Sequence, residues 1–324
     1  MSKMKVRFDN RFRLRYGRFV LSAVALFLPV AVVVAWITSA DAGAPGIDAF
    51  TRHGAGVRAV GMGKAATSVP MGAGSFYWNP AGLGLIEGTE LTSLFSQPYS
   101  SVDDLQYHTI GFAHRNPSRH VGYGLSGIFF DAGKLRGADA AGNLTGQTFG
   151  SRDGALYFSV GAGFGGEDGR SRAAIGGNFK AVRGEIAEFN TTGFGADLGF
   201  MFLPAEWARM GVMVENLIAP TFQFKTTAEK FPLRIRGGVS LDPFTWMTLA
   251  GDVENEEGEI SYRFGGEIRL FSRVLGLRGG YTTDTQEFLA GIGFNIKFLA
   301  LDYAYSTHDD LGQTHRVGLT IKIK

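Results

Sequence analysis

From about residue 89 to the C-terminus the chain alternates apolar and polar positions with a period of two, and turn-forming residues recur every 10 to 20 positions. The last segment is the clearest: Val317, Leu319, Ile321 and Ile323 share one face, with Arg316, Gly318, Thr320, Lys322 and Lys324 on the other. Leu299, Leu301, Tyr303 and Tyr305 likewise oppose Ala300, Asp302, Ala304 and Ser306. The pattern predicts strands near 90–97, 105–114, 121–131, 154–164, 172–183, 192–203, 208–216, 233–241, 245–254, 259–271, 274–282, 285–296, 298–307 and 314–323, fourteen in all. A soluble sandwich would alternate too. The second face, however, is rich in Gly and charge while the first is aliphatic and aromatic on nearly every strand, as expected of a lipid-facing band around a polar lumen. Fourteen membrane strands of ~9–11 residues need roughly 126–154 residues, which the chain supplies with room for loops and a plug. The expected fold is therefore all-β, a 14-stranded antiparallel transmembrane β-barrel, with a hatch inside the lumen.

The N-terminus predicts how such a barrel is exported. Lys3, Lys5, Arg7, Arg11, Arg13, Arg15 and Arg18 precede an uncharged run from Phe19 to Ile37, and Ala40-Asp41-Ala42 forms a small-x-small cleavage site. This is the layout of a signal peptide over residues 1–42, with an uncleaved anchor as the alternative because the run nearly reaches the ~20 residues of a membrane helix. No second apolar stretch of that length follows. A mature chain in the membrane must then close into a barrel, because in lipid only helices and barrels satisfy every backbone polar group. The expected units are the leader, a hatch over 43–88 and a barrel over 89–324.

Composition sharpens this reading. Glycine, at 47 residues, is about twice its ordinary usage, Phe numbers 27, and only 19% of residues are charged, which suits a sheet whose outer face need not meet water. Outside the leader 25 Lys and Arg face 28 Asp and Glu, so the net charge of +2 belongs to the leader and the remainder carries no basic footprint for nucleic acid. Without Cys there is no disulfide framework or thiol nucleophile to propose.

Two stretches carry a family resemblance. Residues 54–86, GAGVRAVGMGKAATSVPMGAGSFYWNPAGLGLI, resemble the hatch of the FadL-type transporters of hydrophobic compounds, and more closely that of the related PorV/PorQ-type proteins of the outer membrane. Glu215-Asn216-Leu217, followed by Phe231-Pro232-Leu233-Arg234 and Gly237-Gly238, is similar to a later segment of the same family. Within the hatch, Gly61 and Gly63 would permit tight turns beside the wall and Asn79-Pro80 a bend whose side chain bonds locally, with Trp78, Ala81 and Gly82 completing the motif. Arg52, Arg58 and Lys64 could meet lumen carboxylates such as Asp197, Glu215, Glu267 and Asp302. Arg316-x-Gly318-x-x-Ile321-x-Ile323 resembles the signal read by barrel-insertion machinery, departing from it by ending in Lys324.

Catalytic and cofactor motifs are not supported. Gly161-x-Gly163-x-x-Gly166 fits a dinucleotide fingerprint but is followed by strand alternation where a helix is required, so it reads as a turn. Gly61-Met62-Gly63-Lys64 lacks the hydroxyl residue of a phosphate loop, since Ala65 stands there. The six His have no ligand spacing, and no metal or cofactor is expected. Ser126 is not in a nucleophile elbow, and the chain does not read as an enzyme. The loop 217–232 stands out, because Leu217, Ile218, Phe222, Phe224 and Phe231 put apolar groups where a polar outer loop belongs. The resemblance implies that such loops capture hydrophobic substrates, the alternative being that these residues fold inward and cap the barrel. Two functions follow from the resemblance: passive, hatch-gated passage of hydrophobic small molecules, with release sideways into lipid, or a PorV-like partner of a secretion system that binds exported proteins.

Overall fold

The computed structural model describes residues 46–323 except 103, 117, 139–140, 167–169 and 224–226. The leader and Phe224 therefore lie outside the described residues. Fourteen of the sixteen strands close a single antiparallel barrel. In chain order they are β1 (Thr89–Gln97), β2 (Gln106–Asn116), β3 (Val121–Ala138), β4 (Leu144–Phe164), β5 (Ala173–Ile186), β6 (Phe189–Ala205) and β7 (Ala208–Ile218), then β10 (Arg234–Phe244), β11 (Met247–Glu256), β12 (Glu259–Leu270), β13 (Leu275–Thr282), β14 (Glu287–Ile296), β15 (Leu299–His308) and β16 (Gly312–Ile323). The remaining two, β8 (Thr221–Gln223) and β9 (Ala228–Lys230), form a small separate hairpin inside the 217–232 segment. β1 closes the barrel on β16 in unbroken register from Thr89↔Ile323 to Gln97↔His315.

Side-chain burial assigns the two faces. Phe288 is 67% exposed and its neighbour Leu289 3%, and the same alternation runs round the wall. Leu91, Ile110, Leu125, Phe158, Phe179, Phe200, Leu277 and Val317 look outward, while Glu90, Thr109, Ser126, Lys180, Asp197, Arg278 and Arg316 look inward. An apolar exterior around a polar lumen is the inverse of a soluble barrel and matches a hydrocarbon surround. Four turns at one end each expose an aromatic ring, Trp207, Trp246, Phe271 and Phe298, and Trp246 stacks on Phe244 at 4.9 Å. Such a ring belt seats a barrel at the membrane–water boundary.

Three details differ from the pattern-based expectation. Residues 132–153 are not an irregular outer loop: β3 and β4 run on past the wall as a two-stranded ribbon, paired at Lys134↔Gly150, Leu135↔Phe149 and Arg136↔Thr148 after a bulge at Gly133. Few of these residues alternate in hydrophobicity, because no face of the ribbon is buried. The strands expected to end at 203 and 241 run on to Ala205 and Phe244, so their turns fall at Glu206-Trp207 and Thr245-Trp246. The register slips between Leu241 and Phe244, where Pro243 has no N–H for the ladder. Gly161 and Gly163 sit within β4, and only Gly165 and Gly166 lie beyond it.

Candidate functional site in the barrel lumen

Residues 46–88 run through the lumen as a chain of short turns: the 3-10 turn Ala49–His53, the single-turn helix Val57–Gly61, the 3-10 turn Gly72–Gly74, the helix Ser75–Trp78 and the 3-10 stretch Pro80–Leu85. None is long enough to be stable alone, so each depends on the wall. Asn79 is the main joint. Its Oδ1 accepts from the Ala81 N–H at 3.1 Å, capping Pro80–Leu85, and its Nδ2 donates to the Thr67 carbonyl at 2.9 Å and to the wall carbonyls of Phe200 (3.1 Å) and Val212 (3.3 Å). Ala81 and Gly82 follow it, buried, and Trp78 is buried beside it, donating from Nε1 to the Ala55 carbonyl at 2.6 Å. From the wall, Tyr107 Oη donates to the Gly54 carbonyl at 2.9 Å.

Glycines on the inner wall make this approach possible. A Cβ at Gly176 would overlap Pro80 and Ala81 backbone, and one at Gly265 would overlap the Met62 carbonyl. Gly63 needs its φ of +66° as well as the absence of a side chain, because a Cβ there would run into the Phe264 carbonyl. Gly61 lies in a helical turn, with the Gly291 Cα 3.1 Å from where its Cβ would be. The high glycine count thus reflects, in part, wall and luminal segment packed backbone to backbone.

The opposite wall is a ladder of ion pairs. Arg234 binds Glu215 and Glu256, each at 3.1 Å, and also Asp48 of the luminal segment. Arg236 binds Glu215 at 2.9 Å, Arg263 binds Glu254 at 2.7 Å and Asp284 at 3.1 Å, and Arg278 binds Glu267 at 2.8 Å and Asp302. Of the three basic residues of the luminal segment, Arg58 meets Glu267 at 2.7 Å as anticipated. Arg52 instead bridges Asp48 and Glu256, and Lys64 takes Glu287 at 3.2 Å. Asp197 is held by Lys180 at 2.7 Å. An arginine inside a barrel is tolerable when a carboxylate replaces its hydration, and the bidentate geometry of guanidinium suits such a ladder.

Three cavities remain beside the segment. An apolar pocket of about 420 Å³ at the outer rim is lined by Ile47, Asp153, Ile186, Phe189 and Phe222. It shares Ile47 and Asp153 with an outer vestibule of about 800 Å³, whose walls include Phe50, His53, Lys64, Tyr99, Phe130 and Arg316. On the opposite side a third cavity, of about 440 Å³, is lined by Ala55, Val57, Met71, Glu90, Asp302 and Gly318. His53 lines the vestibule and Ala55 and Gly56 line the inner cavity, so the chain passes from one cavity to the other across Gly54-Ala55-Gly56. Both glycines of that stretch have positive φ, +91° and +74°. His53 stacks on Phe130 at 5.6 Å and contacts Tyr107 at 5.0 Å and Tyr99 at 5.7 Å. Burial, and then the charges of Arg316 and Lys64, push its imidazole down to about 3.

The four described apolar residues of 217–232 do not form one patch. Leu217 and Ile218 are 57% and 63% exposed at the end of β7, where Glu215, Asn216 and Leu217 bulge opposite Asp197 alone. Asn216 adopts φ +61° there, its N–H donating to Asp197 at 2.8 Å and its Nδ2 to the Pro232 carbonyl at 2.6 Å. Phe222 and Phe231 are each 3% exposed and pack edge to face at 5.1 Å, with Phe50 of the luminal segment 6.4 Å from Phe231. Sequence reasoning missed Ile47, Phe189, Phe130, Tyr99 and Arg316 as cavity residues. Ile186 and Phe189 carried the same signal as the loop that was noticed, large apolar groups flanking a tight turn.

A closed fourteen-stranded wall with an apolar exterior, an aromatic belt and a polar, segment-filled lumen defines a transmembrane barrel of the bacterial outer membrane, with the FadL-type fold. The chain is similar in structure to the toluene transporter TbuX of Ralstonia pickettii, with 16% identity and a TM-score of 0.59 over 83% of this chain and 97% of that one. It is similar also to the toluene transporter TodX of Pseudomonas putida, with 12% identity and a TM-score of 0.60 over 83% and 97%. A Pseudomonas aeruginosa FadL homologue gives 11%, 0.59, 83% and 98%. No protein-family model and no curated protein matches the sequence. At these identities the likeness is one of fold.

Proposed function

We propose that this barrel mediates passive passage of hydrophobic small molecules across the outer membrane, with Gly54-Ala55-Gly56 as the movable partition. The observation that carries the proposal is the order of the cavities: an apolar rim pocket opening into a vestibule, then the partition, then a cavity on the far side. The pocket walls of Ile47, Ile186, Phe189 and Phe222 desolvate an apolar solute where it arrives from water. Two side-chain hydrogen bonds, from Tyr107 and Trp78, hold the partition, and its two glycines supply backbone freedom. The description of structural neighbours as toluene transporters favours this reading over the capture of exported proteins.

The absence of Cys permits a clean test. The Val57 Cβ lies 3.3 Å from the Cβ position of Gly318, close to the ~3.5–4.5 Å of a disulfide. In proteoliposomes the Val57→Cys, Gly318→Cys double variant should take up toluene at least tenfold more slowly when oxidised than when reduced, a comparison within one variant that absorbs any shift forced where the new Cβ meets the Ser93 carbonyl at 2.8 Å. Equal influx in both states would refute a moving partition.

A further inference from the structure

Among the described residues the ladder neutralises the buried arginines of the lumen with one exception. Arg234, Arg236, Arg263 and Arg278 each hold a carboxylate oxygen within 3.1 Å. Arg316, on β16, is just as deeply buried at 2% exposure, yet among the described residues it makes no ion pair. Its Nη1 donates to Ser306 Oγ at 2.9 Å, and its Nε is buried without an acceptor. Glu287, an acidic group of the same vestibule, is engaged by Lys64 at 3.2 Å. A buried guanidinium with most of its donors unused is costly unless something else accepts from them. Arg316 lines the vestibule, whose volume of about 800 Å³ lies in the range of small-molecule sites.

Two further features of that vestibule define the missing anion. Rings share the lining with Arg316: His53 stacked on Phe130, with Tyr99 at ring-contact distance from His53. They offer faces and edges to a flat aromatic body. Of the other acids on the rim, Glu254, Glu256 and Asp284 are held by Arg263, Arg234 and Arg52, which leaves Asp153 and Glu259, without an ion pair among the described residues, to repel a second negative charge on the ligand.

We propose that the outer vestibule binds aromatic monocarboxylates, with Arg316 as the counter-ion of the carboxylate and the ring seated against His53, Phe130 and Tyr99. A neutral histidine keeps the seat apolar, consistent with the depressed imidazole. This deepens the passage reading by naming a substrate class, and it departs from the uncharged toluene of the named neighbours.

The test is equilibrium binding to the full barrel in detergent, with benzoate, isophthalate and toluene as probes. Heat-modifiable mobility on gels verifies that each variant is folded. Wild type should bind benzoate at least tenfold more tightly than isophthalate. Arg316→Met should lose about tenfold or more in benzoate affinity, the scale of one charge-assisted hydrogen bond, and lose less toward toluene, which offers the guanidinium no acceptor. Arg316→Lys should recover part of the loss, because the charge returns without the bidentate fork. Benzoate affinity that is the same in wild type and Arg316→Met, or equal affinity for benzoate and isophthalate in wild type, overturns the assignment. A wild-type barrel that conducts toluene but does not retain benzoate overturns this site and leaves the passage reading standing. One that retains benzoate without toluene flux does the reverse.

Discussion

At the residue scale, single side chains fix the luminal segment to the wall, and their roles divide by chemistry. Asn79 serves four partners, so Asn79→Ala leaves the Thr67, Phe200 and Val212 carbonyls and the Ala81 N–H without it. Loss of buried hydrogen bonds costs about 1–3 kcal/mol for each orphaned group, and protease cleavage within 46–88 should rise at least tenfold while the barrel stays heat-modifiable. His53 makes docking depend on pH. Its imidazole titrates near 3 when docked and near its ordinary 6.5 when released, so the released state takes up protons first as pH falls. The stabilisation is complete above about 6.5 and is lost progressively toward 3. The protection of amides in residues 46–60, taken relative to intrinsic exchange at each pH, should therefore fall between pH 7 and pH 4, and His53→Phe should flatten that dependence; an unchanged slope in the variant would place the titrating group elsewhere. The Arg58–Glu267 pair was legible from charge alone, but the partners of Arg52 and Lys64 were not. In a lumen with several carboxylates, the path of the chain decides which one each cation reaches.

At the element scale, strand positions were legible wherever one face is lipid and the other polar, as in β14, β15 and β16. β1 and β2 were harder, since Leu94 and Tyr107 point inward to pack on the luminal segment and blur the alternation. The β3–β4 ribbon carries no such alternation because it projects beyond the apolar band. The segment 217–232 shows the same limit from the other side: its aromatic residues were conspicuous, but only the fold separates outward Leu217 and Ile218 from inward Phe222 and Phe231. Phe222 stands over the backbone of Gly184 and against Phe231, bracing the β8–β9 hairpin beside the rim pocket. Phe222→Ala should remove about 3 kcal/mol of that local packing and raise amide exchange in 217–232 without altering the barrel's unfolding midpoint. Coincident loss of barrel stability would mean that the hairpin is part of the global core.

At the scale of the whole molecule, the proposed passive passage predicts a flux that follows the solute gradient. Toluene influx into proteoliposomes should rise linearly with external concentration at low occupancy and be indifferent to a proton gradient; coupling to that gradient would overturn a passive route. While the luminal segment was implied by the resemblance of residues 54–86, the sequence by itself determined the existence of a barrel, its fourteen strands and its closure in lipid. Those features follow from a period-two pattern long enough to repeat and from the rule that backbone in lipid must be paired. Only the tertiary structure decided which carboxylate neutralises which arginine, which aromatic residues meet in the vestibule, where the partition falls and that Arg316 is left without a counter-ion. Those are relations between residues far apart in the chain that share a lumen only once β1 has closed on β16, and no local pattern encodes them.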